Sequence, residues 1–110
     1  MKRIPTKVNP QDAAFRRNAE ENRRRAADLA ALLATIRLGG PEKARQRHRE
    51  LGNLLVRDRI DALLDPGTPF LELSPLAAHE VYDEPVPAAG LVTGVGTVHG
   101  RPVMVVANDA

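Results

Sequence analysis

Gly90-Leu91-Val92-Thr93-Gly94-Val95-Gly96-Thr97-Val98, then His99-Gly100, then Arg101-Pro102-Val103-Met104-Val105-Val106-Ala107 is the stretch on which the fold turns. Two β-branched runs flank a two-residue segment that ends in glycine, the pattern of an antiparallel hairpin. Val103–Ala107 is apolar at every position, so it suits a strand covered on both faces rather than one with a wet side. Gly94, Gly96 and Gly100 do not make the dinucleotide fingerprint, whose glycines lie between a strand and a helix. Inside a hairpin they mark bulges or a close approach of another group to the backbone.

Working back from the hairpin, Phe70-Leu71-Glu72-Leu73 reads as one more short strand. Ser74-Pro75 and Pro85-Val86-Pro87 bracket a loop-like stretch, Leu76 to Glu84. Further back the hydrophobic period becomes helical. Leu54–Leu64 predicts a helix with Asn53 as its cap, an apolar face of Leu55, Val56, Ile60, Leu63 and Leu64, and an Arg57–Asp61 pair on the other side. Asp65-Pro66-Gly67 stops it. Pro41 to Gly52 predicts a second helix that is polar nearly all round. Its Arg45 and Arg49 share a face, where they suit either plain solvation or contact with a polyanion.

The first helix opens at Asn9-Pro10, runs to about Leu38 and stops at Gly39-Gly40, a length of about 43 Å at 1.5 Å per residue. Glu20–Arg24, Glu21–Arg25 and Arg24–Asp28 are spaced to pair along it. Phe15, Ala19, Asn22, Ala26, Leu29, Leu33 and Ile36 recur at alternating steps of four and three, a heptad seam with a polar break at Asn22. The seam is strongly apolar only at Leu29, Leu33 and Ile36. It fits a surface helix whose last turns pack on a core, or an arm that docks on another chain.

The chain has 110 residues and no cysteine, which excludes disulfides and thiolate chemistry within it. With one tyrosine, two phenylalanines and no tryptophan the core is aliphatic, and a base-stacking surface is disfavoured. No apolar run approaches the roughly 20 residues that span a bilayer. Met1-Lys2-Arg3-Ile4-Pro5 has no apolar segment of a secretory signal. An alanine-rich, arginine-over-lysine composition suits a GC-rich bacterial genome, and the expected location is the bacterial cytoplasm. The net charge of +2 hides an asymmetry: residues 1–60 carry 15 Lys/Arg against 7 acids, residues 61–110 carry Arg101 alone against 7 acids. A basic front and an acidic back imply different neighbours.

Most apparent catalytic motifs fail. His79-Glu80-Val81-Tyr82-Asp83 lacks the second histidine of a zinc-protease helix, and Pro85 breaks any helix there. His48, His79 and His99 are too scattered for a metal site. No Ser/His/Asp arrangement is defensible from position. On residues alone the chain is an α/β piece with a basic helical front, expected to be the front of a larger domain, because three helices and a hairpin cannot cover Val103–Ala107 on both sides.

Several blocks together are similar to the carboxyltransferase (β) subunits of biotin-dependent acyl-CoA carboxylases. They are Gly39-Gly40-Pro41-Glu42-Lys43-Ala44-Arg45-Gln46-Arg47-His48, the run from Leu54 to Leu73, Val81-Tyr82-Asp83, Val86-Pro87, Gly90–Gly96 and Val105-Val106-Ala107-Asn108-Asp109-Ala110. Pro69-Phe70-Leu71-Glu72-Leu73 and Ala107-Asn108-Asp109-Ala110 most resemble the methylcrotonyl-CoA branch. The resemblance implies residues 1–38 as a helical arm and 39–110 as the start of a crotonase-like carboxyltransferase domain built of ββα units. It implies transfer of a carboxyl group from carboxybiotin to an acyl-CoA, 3-methylcrotonyl-CoA foremost, through an enolate whose oxyanion is held by backbone N–H groups. The family's glycine-rich donor segments follow the Asn108-Asp109-Ala110 block. No catalytic residue, metal ligand or cofactor contact is therefore assigned here, and residues 1–110 alone are expected to be inactive. The implied partners are the acyl-CoA, a biotin-carrying α subunit and further β subunits, with neither membrane nor specific nucleic acid. Leu51-Gly52-Asn53 stands where the family usually has Arg-Gly-Lys, and Ala88-Ala89 where glycine is commoner. Two other classes remain open on the residues. One is a non-specific nucleic-acid binder using Arg16, Arg17, Arg23, Arg24, Arg25, Arg45, Arg47 and Arg49. The other is an interaction module built on the heptad helix.

Overall fold

The computed structural model describes residues 3–109. Its elements run α1 (Ala13–Arg37), α2 (Glu42–Glu50), α3 (Val56–Leu63), β1 (Leu71–Leu73), a short 3-10 turn (Pro87–Gly90), β2 (Leu91–Val98) and β3 (Arg101–Asn108). The architecture is the expected α/β one. By its contacts the chain divides into two units, one reaching to Leu32 and one starting at Leu33.

In the first unit the helix starts three residues later than the sequence predicts. The Asn9 side chain accepts the Gln11 N–H at 3.1 Å, and the Asn9 carbonyl accepts the Asp12 N–H. This turn uses up Asn9, so Asp12 caps α1 instead and accepts the Ala14 N–H at 3.4 Å. Glu21 takes both Arg24 (2.7 Å) and Arg25 (2.9 Å), and Arg24 also reaches Asp28 at 3.7 Å. Glu20 pairs with Arg23 at 3.7 Å rather than with Arg24, which Glu21 holds. Phe15 and Leu29 of the seam are exposed.

The second unit holds the core. Ile36, in the last turn of α1, is buried. α2 ends in a Schellman arrangement: the Asn53 N–H donates to the His48 carbonyl (3.2 Å) and the Gly52 N–H to the Arg49 carbonyl (2.9 Å), with Gly52 at φ +77°. Asn53 is committed to that stop, which corrects its reading as the cap of α3. Leu55 holds the cap position of α3 without a side-chain bond.

α3 buries Val56 and Ile60, and Leu64 follows one turn on. These three sit at i, i+4 and i+8 and pack on Val92 of β2 and Val105 of β3, with Phe70, Val98, Val103 and Ala107 around them. The predicted face is corrected at two places. Leu63 is 53% exposed and Leu55 only half-buried, because both lie off the line through Val56, Ile60 and Leu64. Arg57 does not pair with Asp61; its Nη2 reaches Glu72 of β1 at 2.5 Å.

The sheet is antiparallel with order β1-β2-β3. The β2–β3 register runs without a bulge from Leu91 opposite Asn108 to Val98 opposite Arg101. His99 (φ 49°) and Gly100 (φ 73°) form the two-residue turn, both left-handed as a type I′ hairpin needs. Gly94 and Gly96 fall on the helix-facing side of β2. A Cβ at Gly94 would overlap the Phe70 ring and the Leu71 carbonyl oxygen; one at Gly96 would overlap the Leu64 side chain. Of the two sequence readings for these glycines, close approach is the correct one.

Before β2, Ala88 (φ 51°) and Ala89 (φ 54°) are both left-handed, a conformation that costs an L-residue with a Cβ about 1–2 kcal/mol.

Ile60→Ala is expected to lower stability by about 2–5 kcal/mol in chemical denaturation, against about 0.5 kcal/mol for Leu63→Ala. Equal losses would show that the helix presents another face. Ala89 is exposed, so Ala89→Gly is expected to raise the same measured stability by about 1 kcal/mol, net of the unfolded-state entropy glycine adds. A loss would mean that the left-handed pair carries no strain.

Candidate functional site

Three polar contacts fix α3 on the sheet, and each joins segments far apart in sequence. The Asp65 carboxylate accepts two backbone N–H groups of the hairpin turn, His99 at 2.8 Å and Gly100 at 2.7 Å. Its own N–H donates to the Thr97 carbonyl at 2.8 Å. The Arg59 guanidinium donates to the Asn108 carbonyl at 2.5 Å. Arg57 holds Glu72, whose side chain is only 9% exposed and also lies 3.9 Å from Arg37. The hydrogen bonds from Gly100 and then His99 hold the Asp65 carboxyl below its ordinary range. Sequence reading saw Asp65 only as a helix stop; its role as a pin needed the hairpin brought alongside.

The sheet has two unlike faces. Val92, Gly94, Gly96, Val103, Val105 and Ala107 look toward α3. On the other side Leu71 lies opposite Val95, which lies opposite Met104; Leu73 lies opposite Thr93, which lies opposite Val106. Leu71, Met104 and Val106 are each more than 60% exposed. The expectation that Val103–Ala107 is covered on both sides is therefore met on one face only within residues 3–109. β3 is also an edge strand, with no pairing beyond β2 among the described residues. A row of apolar side chains facing water, beside a free strand edge, is a surface built for another segment.

Arg45 and Arg49, the suggested polyanion face of α2, line one cavity of about 150 Å³ together with Arg37 and Arg57. Arg47 lines a different groove with Lys43, His48 and Leu51. Arg16, Arg17, Arg23, Arg24 and Arg25 lie on α1, where Arg16 donates to Gln11, and Arg23, Arg24 and Arg25 pair with acids of the same helix. The histidines remain apart: His48 Nε2 lies 3.1 Å from the Leu54 carbonyl and His79 Nε2 lies 3.7 Å from Glu80. Among the described residues no three His, Asp or Glu side chains group as for a metal ion, and no helix is long and apolar enough to cross a membrane. Ala110, the last residue of the resemblance, lies outside the described residues, as do Met1 and Lys2.

Residues 47–110 match the carboxyl transferase domain family. The Mycobacterium tuberculosis biotin-dependent 3-methylcrotonyl-coenzyme A carboxylase beta1 subunit is 55% identical over 92 residues, 84% of this chain and 17% of that protein. The beta subunit of Pseudomonas aeruginosa geranyl-CoA carboxylase superposes with a TM-score of 0.80 at 31% identity, over 96% of this chain and 20% of that one. Transcarboxylase 12S, solved as a hexamer with methylmalonyl-coenzyme A bound, gives a TM-score of 0.70 at 34% identity over 77% of this chain and 18% of its own. The chain thus spans about a sixth to a fifth of the length of the proteins it matches.

The depressed Asp65 carboxyl sets a sign for pH dependence. A group whose folded pKa lies below its unfolded value stabilises the fold above the unfolded pKa and stops doing so as the pH falls through the folded one. Wild type is therefore expected to be more stable than Asp65→Asn at pH 6, with the gap narrowing below about pH 4, where the unfolded-state carboxyl takes up its proton. Denaturation of both proteins across that range reads it. A gap independent of pH would show that the carboxylate charge does not hold the turn.

Proposed function

The chain belongs to the carboxyl transferase domain family, and from that premise we propose that it forms the N-terminal part of an acyl-CoA carboxyltransferase β subunit. One observation carries the reading. The sheet, covered by α3 on one face and bare and largely apolar on the other, belongs to a chain that is 55% identical over 92 residues to a carboxylase subunit of which that match covers 17%. We assign residues 1–38 as the helical arm and 39–110 as the first part of the domain.

The reaction of the whole subunit is transfer of a carboxyl group to an acyl-CoA, with 3-methylcrotonyl-CoA the favoured substrate because the more similar relatives bear that name. Removal of a proton from the acyl group leaves an enolate, and the developing oxyanion needs donors aimed at it. Biotin, carried on a partner subunit, supplies the carboxyl group when bound. The larger described cavities of this segment are grooves open to solvent, and the one lined by four arginines is about 150 Å³. None is a closed slot for the biotin ring, so no step is routed through these residues. The part played here is mechanical: α3 and the hairpin present a rigid sheet on which the rest of the domain packs, and the holoenzyme then assembles from several β subunits with the biotin-carrying α subunit. We propose a bacterial, cytoplasmic parent protein; the alanine- and arginine-rich composition supports the bacterial part of that reading.

The test is a chimera. Residues 1–110 replace the segment they match in the Mycobacterium tuberculosis beta1 subunit, and the product is assembled with its biotin-carrying partner. Avidin-sensitive fixation of bicarbonate into 3-methylcrotonyl-CoA within about tenfold of the parent rate is the expected result, since a packing segment leaves the transition-state contacts intact. A chimera that assembles but carboxylates no acyl-CoA overturns the assignment.

A further inference from the structure

We propose that the cavity lined by Arg37, Arg45, Arg49 and Arg57 binds a phosphoryl oxyanion. The four guanidinium groups come from three elements: the end of α1, α2 and the first turn of α3. Convergence from separate elements distinguishes the cavity from a charged helix face, which presents arginines of one helix to solvent.

The state of the individual nitrogens points to an acceptor. Arg45 gives an Nη2 hydrogen to Glu42, and Arg57 gives one to Glu72. In both residues the Nε–H is buried and has no partner. A buried donor left without an acceptor costs about 1–3 kcal/mol, and native proteins seldom leave two beside one cavity. What these groups lack is an acceptor, so a cation does not satisfy them, whereas an oxyanion does. Arg49 is exposed and forms no ion pair among the described residues, so it adds an uncommitted charge at the rim.

The size of the cavity and its unpartnered donors select the class. At about 150 Å³ it takes one tetrahedral group rather than a nucleotide. The Nε–H edges of Arg45 and Arg57, with the Arg49 guanidinium at the rim, supply donors suited to the oxygens of one phosphoryl group, an acceptor that arginine serves well. Asp58 and Asp109 also line the cavity, and Glu42 and Glu72 already neutralise part of the set. With four carboxylates against four guanidiniums the site has no net positive charge to hold an extended polyanion such as a nucleic-acid backbone, and what it offers a single oxyanion is its unpartnered donors. The unexplained polarity of α2 acquires a reason, because the helix carries two of the four donors. A free inorganic phosphate and the phosphoryl end of a longer ligand share this chemistry.

Arginine Nε–H resonances of the full 110-residue chain read the site directly, independently of any carboxylase activity. Inorganic phosphate is expected to produce saturable shifts in the Arg45 and Arg57 Hε signals. Arg49→Gln is expected to weaken the apparent affinity about tenfold, the scale of one charge-assisted contact. Arg25→Gln on α1 should leave it unchanged, and Arg45→Lys, which keeps the charge but has no Nε–H, should abolish saturation. Coenzyme A in a parallel titration separates the sources. Tighter saturation than with phosphate assigns the site to the phosphoryl end of an extended ligand, equal saturation to the free ion, and either supports the phosphoryl class. Shifts that rise linearly with salt and appear equally at Arg25, or saturation indifferent to Arg49→Gln, overturn it.

Discussion

The 33–109 region depends on α3 lying across one face of the three-stranded sheet. Val56, Ile60 and Leu64 supply the apolar line, and Val92 and Val105 receive it. Burial of such side chains contributes about 1.5–3 kcal/mol each. The approach works because β2 is flat where the helix lands: Gly94 and Gly96 leave room for the Phe70 ring and the Leu64 side chain. The polar contacts then fix position rather than supply the drive. Asp65 locks the end of α3 to the hairpin turn, Arg59 locks it to the end of β3, and Arg57 ties it to β1 through Glu72. The last tie is the costliest to break, because loss of Arg57 leaves a nearly buried carboxylate with only Arg37, 3.9 Å away.

The same docking leaves the opposite face bare. A sheet made to be wet on one side alternates apolar and polar residues. Here the face turned away from α3 carries Leu71, Leu73, Leu91, Val95, Met104 and Val106, with polar side chains only at Thr93, Thr97 and Asn108 among the described residues. Such a surface is stable only when covered, and uncovered it is a template for association with other chains. Membership of the carboxyl transferase family, at a sixth to a fifth of the length of its relatives, gives that surface its context.

The hairpin, its turn and the three helices were legible because each carries a local signal. A β-branched run with a glycine-containing turn, proline and glycine at helix ends, and a 3.6-residue apolar period all act within a few residues. What was not legible depends on competition or on distance. Asn9 and Asn53 are both good caps in isolation, but a preceding turn claims the first and a Schellman stop the second. Leu63 looks as apolar as Ile60, and only the direction of the helix axis on the sheet separates them. Arg57 has Asp61 four residues away, yet a carboxylate in the half-buried space beside β1 offers a less screened partner. The gathering of Arg37, Arg45, Arg49 and Arg57 was half visible, as the Arg45–Arg49 face; the other two arrive only with the tertiary fold.

The Ala88-Ala89 pair shows how a local rule and the global fold come into conflict. The chain must turn sharply from the Pro85-Val86-Pro87 segment into β2, and the turn places two successive residues in the left-handed region. Glycine adopts that region freely; alanine does so at a cost. The neighbourhood shows what opposes the cost. The Ala88 methyl is buried, so one of the two alanines gains contacts that glycine would lose. On the far side of Gly90, the Asp109 N–H donates to the Gly90 carbonyl at 2.9 Å and ties this entry turn to the chain just past β3. The backbone path into β2 is thus held by the hairpin it leads into. Strain at Ala89 persists because relaxing it would break the Gly90–Asp109 bond and shift Leu91 and Val92. Val92 is fully buried at the centre of the core on which α3 rests.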